Sequence, residues 1–408
     1  MGAAPVTYES LTYEALRDAL GDRALPAMLV DLDALDRNTA RLAAVAEGAG
    51  KNLRVASKSL RVPALLRRIL AGGDPFRGLM CYAVPEAALL AQEGFDDLLV
   101  AYPTVQSEDL RILRTLAEGG TQVAAMVDDA EQVHRIAAAF AGADVEARLC
   151  IDLDMSLELG GRHVGVQRSP VRSTEAFARV VDACVGAENV RVAGVMGYEA
   201  LVAGVGDRNP FAPLLNPAKR WLKARSVADV ARKREAAAAV LAERGIELDF
   251  FNGGGTGSID TTTKEDAVTE VTAGSGFLQS HLFDYYSNNR NEPAFCFALQ
   301  ATRKPEAGVV TCQSGGFIAS GPTDADKAPV PFLPAGLTAT GAEGFGEVQT
   351  PLRGDPAIVD AIELGDPVFF RPAKAGEIAE RFDRYLLLEG GVVVDEVPTY
   401  RGMGYAFY

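Results

Sequence analysis

The chain has 408 residues, 48% hydrophobic and 23% charged, a globular balance with room for two domains. A net charge of −15 and a pI near 4.8 argue against a nucleic-acid partner, because an acidic surface repels a polyanion. No apolar run approaches the roughly 20 residues that span a bilayer. Residues 1–10 lack the basic and apolar regions of a signal peptide, and five cysteines without CxxC spacing fit reduced thiols, so a soluble cytoplasmic protein is expected.

In chain order, residues 7–20 carry a weak helical pattern. Residues 27–32 read as a strand running into a helix with Leu35, Leu42, Val45 and Ala46 on one face. Apolar strand and amphipathic helix then alternate, with strands expected at 53–57, 78–83, 97–102, 122–127, 146–152, 190–198, 247–251 and 268–273. Helices are expected at 85–92, from Ser107 to a stop at Gly119, after caps at Asp128 and Ser173, and over about 218–243. Eight such units over roughly 225 residues predict an α/β fold, a (β/α)8 TIM-type barrel with its site at the C-terminal strand ends. A doubly wound open sheet is the main alternative, but no GxGxxG follows the first strand.

Past about residue 277 the strand-like runs are short, at 295–299, 309–312, 367–370, 384–388 and 391–394, and helical periodicity nearly disappears. The expected division is an N-terminal segment at 1–26 that packs with the β domain, a barrel unit at 27–277, and a C-terminal β domain at 278–408. The strand near Met28 is assigned to the β domain, because it would be a ninth in the barrel.

Two stretches carry chemistry. The apolar run that starts at Leu53 ends in Ser57-Lys58-Ser59. Burying an ammonium costs several kcal/mol unless it is paired, deprotonated or covalently used; a lone lysine there would more often snorkel to the surface. The second stretch is Asn252-Gly253-Gly254-Gly255-Thr256-Gly257-Ser258, at the end of the seventh barrel strand. Successive glycines let backbone N–H groups converge on an anion, with Thr256 and Ser258 adding hydroxyls. A GGG run alone could equally be a flexible turn, but the loops after strands 7 and 8 are where barrels often hold phosphate, and residues 273–277 form a second glycine-rich loop. No GK[ST] follows, so this is not a P-loop. Lysine plus a phosphate cradle points to pyridoxal 5′-phosphate held as a Schiff base, and leaves open a Schiff-base aldolase acting on a sugar phosphate.

The chain resembles the fold-type III pyridoxal-phosphate enzymes, which include alanine racemase, D-threonine aldolase and D-serine dehydratase, and among them the bacterial amino acid deaminase/aldolase branch. The residues that carry the likeness are 29–35 with Asn38, 55–58, Asp152-Leu153-Asp154 with Arg162 and Gly165, Gly197-Tyr198-Glu199, and the GGGT loop. The resemblance implies that Lys58 binds the cofactor and moves protons at the substrate Cα. It makes Gly254, Gly255, Thr256, Gly274 and Ser275 phosphate candidates, with Asn252 also at the cofactor. Thr272 would stand where alanine racemase contacts the pyridine nitrogen through arginine. Arg162 would lie near the ring or the substrate carboxylate, with Tyr198 and His163 as further catalytic candidates; each has an ordinary alternative as a surface or core residue.

The resemblance also shows a departure. D-Threonine aldolases and D-serine dehydratases carry a His-x-Cys metal pair near the C-terminus, whereas the corresponding 370–377 here has neither residue and keeps Lys374 and Glu377 as charged groups. No catalytic metal is therefore expected, although carboxylates alone could hold Mg²⁺ or Mn²⁺. The expected activity is that of a lyase, an aldolase or a dehydratase/deaminase, on a small β-hydroxy amino acid of D configuration. The protein is expected to be a homodimer. A racemase is the first alternative, and a non-catalytic pyridoxal-phosphate carrier the second.

Overall fold

The computed structural model describes residues 11–322 and 324–407. The first residues of the helical pattern at 7–20 lie outside them. A helix follows at Tyr13–Leu20, with the Thr12 hydroxyl accepting from the Ala15 N–H as its cap.

Strand β1 (Ala27–Asp31) leads into the helix Leu32–Glu47, capped by the Asp31 carboxylate. The chain then lays down β2 (Asn52–Ala56), β3 (Phe76–Cys81), β4 (Leu98–Val100), β5 (Val123–Val127) and β6 (Ala147–Asp152). A small hairpin of β7 (Leu157–Leu159) and β8 (Arg162–Val164) interrupts the alternation. Strands β9 (Val190–Gly197), β10 (Phe250–Gly253) and β11 (Glu270–Ala273) complete the set. Strands β2–β6 and β9–β11 close into an eight-stranded parallel barrel, β11 pairing with β2 through Val271↔Leu53 and Ala273↔Val55. The open-sheet alternative is thereby excluded.

Local chemistry explains most boundaries. Pro63 begins the helix Pro63–Leu70, where its missing N–H costs nothing, and Ser173 caps Thr174–Gly186 by accepting from Ala176. Two expectations shift. Asp129, not Asp128, caps the helix Ala130–Ala139, because the Asp128 carboxylate is engaged by the Gln132 side chain. The seventh barrel strand runs from Phe250 to Gly253 rather than over 247–251. Asp249 just before it holds Arg148 and Arg191 through its carboxylate and donates its N–H to the Ala193 carbonyl, and the paired register begins at Phe250↔Gly194.

The remaining strands, β12 (Phe295–Arg303), β13 (Val309–Gln313), β14 (Val330–Leu333), β15 (Thr338–Ala339), β16 (Gln349–Arg353), β17 (Pro367–Arg371), β18 (Arg384–Glu389) and β19 (Val392–Pro398), form a nine-stranded sheet with β1. Within it β1 lies between β12, antiparallel, and β18, parallel. Leu16 and Leu20 of the first helix pack on Ala27, Leu29, Phe369 and Leu386. The barrel and this sheet share one apolar core, in which Val55, Leu79 and Val195 are continuous with Phe297 and Phe370. Asn38 ties them by polar contacts as well: its side-chain amide donates to the Phe277 and Glu292 carbonyls, and its oxygen accepts from the Glu292 N–H. All five cysteines are buried and free. Among the described residues no helix is long and apolar enough to cross a membrane.

Candidate active site

Lys58 sits in a single 3-10 turn, Ser57–Ser59, directly after β2. Ser57 and Ser59 are buried, while the Lys58 side chain reaches solvent from within walls of protein. Those walls push its pKa down, first by desolvation and then through the charges of Arg168, Lys374 and Arg61, against a smaller opposing effect of Glu377. The turn is held firmly. Arg61 has a left-handed backbone (φ 55°), and its Nε donates back to the Lys58 carbonyl at 3.2 Å. The same guanidinium lies 4.9 Å from the Tyr82 ring centroid and pairs with Glu380 of the β-rich region.

The glycine loops after β10 and β11 meet this turn. Ser59 Oγ lies 3.4 Å from Ser275 Oγ, and Thr256 Oγ1 accepts from the Gly276 N–H at 2.9 Å. Gly254 adopts φ 86°, a conformation that side chains disfavour, and its N–H is taken by Glu199 at 3.1 Å. The Gly255 N–H goes to Ser258 Oγ. That leaves Thr256, Gly257, Gly274 and Ser275, whose N–H groups have no protein acceptor among the described residues. Of the two loops 252–258 and 273–280, only Gly255, Thr256 and Ser275 reach solvent. The arrangement is a cradle of uncommitted donors and hydroxyls at the barrel mouth, one residue from Lys58, as an anionic phosphate requires.

Glu199 is the buried post behind this cradle. It accepts from Arg234 Nη2 at 2.5 Å, from Ser258 Oγ at 2.6 Å, from the Gly254 N–H, and from Thr262. Burial raises its pKa, but Arg234 and the two hydroxyls together hold it below the usual carboxylate value. A second buried network fills the barrel lumen. Arg54 forms a two-pronged pair with Glu270 at 2.7 and 2.9 Å and reaches Asp97, while Asn252 bridges Glu270 to Thr272.

The predicted site residues separate into groups. Tyr198, half-buried at the end of β9, has its pKa raised to about 12, mainly by burial and then by Glu199, so it stays a phenol at neutral pH. Asn252 and Thr272 are buried and hydrogen-bonded to each other, at 2.8 and 3.1 Å. Gly274 abuts Ser59, whose Oγ would lie 2.6 Å from a Cβ at that glycine. Arg162 lies exposed on the β7–β8 hairpin, and His163 there contacts the Val166 carbonyl through Nε2 at 2.9 Å. Neither is among the charges that shape Lys58. Arg168, which sequence reasoning passed over, does so: its guanidinium carbon is 5.8 Å from the Tyr198 ring centroid, and its charge acts on Lys58, Tyr198 and Asp152 together. Asp152, at the end of β6, has its pKa raised to about 7 by burial and by the neighbouring Asp128 and Asp154. Only the Asp-x-Asp pair at a strand end signalled it. His281 is buried and structural, held by Tyr285 and the Ala328 carbonyl. Among the described residues no group of three or more His, Cys, Asp and Glu could hold a metal.

The fold and site define a parallel-barrel protein with a desolvated strand-end lysine beside an anion cradle. The alanine racemase N-terminal domain model matches residues 30–276, and the chain belongs to that family. It is 27% identical over 253 residues to a 3-hydroxy-D-aspartate aldolase of Paracoccus denitrificans (strain Pd 1222), a match covering 61% of this chain and 59% of that one. The match thus spans about three fifths of the curated relative. Solved structures show the same fold over nearly the whole chain. D-Threonine aldolase from Filomicrobium marinum superposes with a TM-score of 0.77 at 22% identity, covering 94% of this chain and 96% of that one. D-threo-3-hydroxyaspartate dehydratase from Delftia sp. HT23 gives 0.74 at 18%, covering 93% and 98%, and the Bacillus anthracis alanine racemase 0.61 at 14%, covering 93% and 98%.

Proposed function

We propose that the protein is a pyridoxal-phosphate-dependent lyase of the aldolase or dehydratase type, acting on a small β-hydroxy amino acid of D configuration through Lys58. The observation that carries the reading is the desolvated, solvent-reachable Lys58 one residue from Ser59, whose hydroxyl meets the cradle of Thr256 and Ser275. The aldolase and dehydratase activities of these relatives support the lyase reading over racemization. The proposal includes a cytoplasmic homodimer, in keeping with the acidic composition and the free cysteines.

The residues present fit the cofactor. Free N–H groups at Thr256, Gly257 and Ser275, with the Ser59, Thr256 and Ser275 hydroxyls, would hold its phosphate, and Lys58 would hold its aldehyde. When bound, the cofactor supplies an electron sink for bonds broken at Cα. The protein chooses the bond. A lowered pKa gives Lys58 a larger free-amine fraction at neutral pH, which suits it both to attack a carbonyl and to take or return a proton at Cα. Arg168, over the Tyr198 ring, offers a cation to a carboxylate, and Tyr198 keeps its phenolic proton for donation. Lys58→Ala tests the reading. Reconstituted with pyridoxal phosphate and reduced with borohydride, wild type should retain covalent cofactor on Lys58, and the variant should retain none and lose turnover. Undiminished labelling of another lysine refutes the proposal.

A further inference from the structure

The segment after β17 crosses the Lys58 turn, and within 371–379 only Lys374 and Glu377 reach solvent. It is locked in place at two points: Gly376 lies directly against the Lys58 carbonyl, and Glu380 pairs with Arg61, whose Nε holds that same carbonyl. Lys374 Nζ donates to Ser320 Oγ and to Glu377 Oε1, both at 2.8 Å, and Glu377 in turn accepts the Ser320 N–H at 2.7 Å and hydroxyl at 2.6 Å. Phe317, Ile318, Ala319 and Pro372 line the same cleft. An ammonium has three donors, and the protein uses two of these.

Stability alone does not explain this cluster. The side chains of Lys374 and Glu377 are 37% and 36% exposed, and exposed pairs of this kind add little to stability. Lys374 also places a second positive charge near the desolvated Lys58 and opposes its protonation. Glu377 offsets part of that charge, and the third donor of the ammonium stays open to a further oxygen acceptor in the cleft.

We propose that Lys374, oriented by Glu377 and Ser320, is the donor for the side-chain oxygen of the substrate, so that the cleft lined by Phe317, Ile318 and Pro372 is the β-oxygen subsite. The inference rests on the lyase reading above and deepens it. In an aldol cleavage the β-hydroxyl releases its proton to water at the open cleft, C–O becomes C=O, and the Cα–Cβ electron pair stays on Cα. In an elimination the Cα proton goes to the Lys58 amine, its electron pair forms the Cα–Cβ double bond, and the C–O pair leaves with the oxygen, which takes a proton from Lys374 that water returns. Negative charge grows on the same oxygen either way, and Lys374 stands at it. Glu377, engaged by three donors and held below its usual pKa, positions the ammonium rather than acting as a base.

The test compares two ligands on cofactor-loaded enzyme. One is the best substrate from a panel of β-hydroxy D- and L-amino acids; the other is glycine, which has no side-chain oxygen, read by the spectral change it causes on binding. Lys374→Met should lower kcat for the β-hydroxy substrate by about 100-fold, the scale of losing one donor to a developing oxyanion. Its glycine Kd should stay within about twofold of wild type, a margin worth under ~0.5 kcal/mol. Lys374→Arg should recover much of the cleavage rate. Cleavage within about tenfold of wild type overturns the assignment, since losing one such donor costs on the order of a hundredfold or more. Equal losses toward both ligands also overturn it, because Lys374 would then act only through Lys58 or the fold. A wild-type chain that binds no cofactor and gives no spectral response to glycine refutes the lyase reading itself, and the subsite with it.

Discussion

The carbonyl of Lys58 rests against the Cα of Gly376, so closely that a Cβ at residue 376 would lie 1.7 Å from that oxygen. Residues far apart in sequence, one closing the first barrel strand and one following a strand of the β-rich sheet, thus share a single backbone contact. The position needs glycine for space and not for conformation, since its φ of −81° is open to any residue. Gly376→Ala must therefore move either the lysine turn or the Lys374 segment. We expect a loss of about 2 kcal/mol or more in thermal or denaturant unfolding, the usual scale of overpacking. Cofactor occupancy should fall even at temperatures where the variant is folded. A variant with wild-type stability and occupancy would show that the contact relaxes without consequence.

The post behind the cradle gives a second prediction. Glu199→Ala leaves Arg234 with Glu265 as its one remaining carboxylate and removes the acceptor of the Gly254 N–H. Breaking a buried pair from one side costs about 3 kcal/mol, so the variant should unfold well below wild type. Glu199→Gln retains the size and one acceptor oxygen, and should lose less stability while still weakening cofactor affinity. The measurement is cofactor dissociation, followed by absorbance during dialysis. Unchanged retention in both variants would separate Glu199 from the cradle.

Glu86 supplies a pH dependence. It is fully buried, accepts from the Tyr82 N–H at 2.7 Å and the Tyr400 hydroxyl at 2.9 Å, and its pKa is raised from 4.5 to about 7, chiefly by burial. A raised folded-state pKa means that the folded chain holds the proton more tightly than the unfolded one. Its stabilising contribution is fully present below pH 4.5 and is lost progressively as pH rises to about 7. Glu86→Gln can keep both contacts, the amide oxygen facing Tyr82 and the amide nitrogen facing Tyr400. Relative to wild type it should gain stability between pH 5 and pH 8, by on the order of 3 kcal/mol at most. Parallel stability–pH curves for the two proteins would contradict the assignment.

Chelation is the fourth test. The donor set around Lys374 contains one carboxylate and no imidazole or thiolate. Dialysis against EDTA should leave activity within about twofold, whereas a catalytic metal supplies several kcal/mol of transition-state stabilisation. Loss of more than about a hundredfold, recovered with Mn²⁺ or Mg²⁺, would place a metal in the reaction.

The barrel was legible because its information is local. Each strand is a short apolar run, and each helix an amphipathic segment with its own start and stop, such as Pro63 or the Ser173 cap. Eight repeats of that unit admit few closures. Lys58 and the glycine loops stood out for the same reason, being polar or flexible residues at the ends of apolar strands. The misplaced cap at Asp128 shows the limit: two adjacent aspartates are equivalent as caps until Gln132 engages one of them.

The order of elements, the barrel and the strand-end lysine could be read from the chain, since they depend on residues within a turn or two of one another. Which charges meet depends on the closed fold. Arg54 and Glu270 are 216 residues apart and pair because β11 closes on β2. Arg168 rather than Arg162 acts on Lys58, because Arg168, though also exposed, lies by the Tyr198 ring while Arg162 sits out on the hairpin. Lys374 comes to the same lysine through the packing of Gly376. Charge–charge interactions fall off over a few ångströms of space and take no account of sequence separation, so they become readable only once the barrel has closed and the sheet has docked on it.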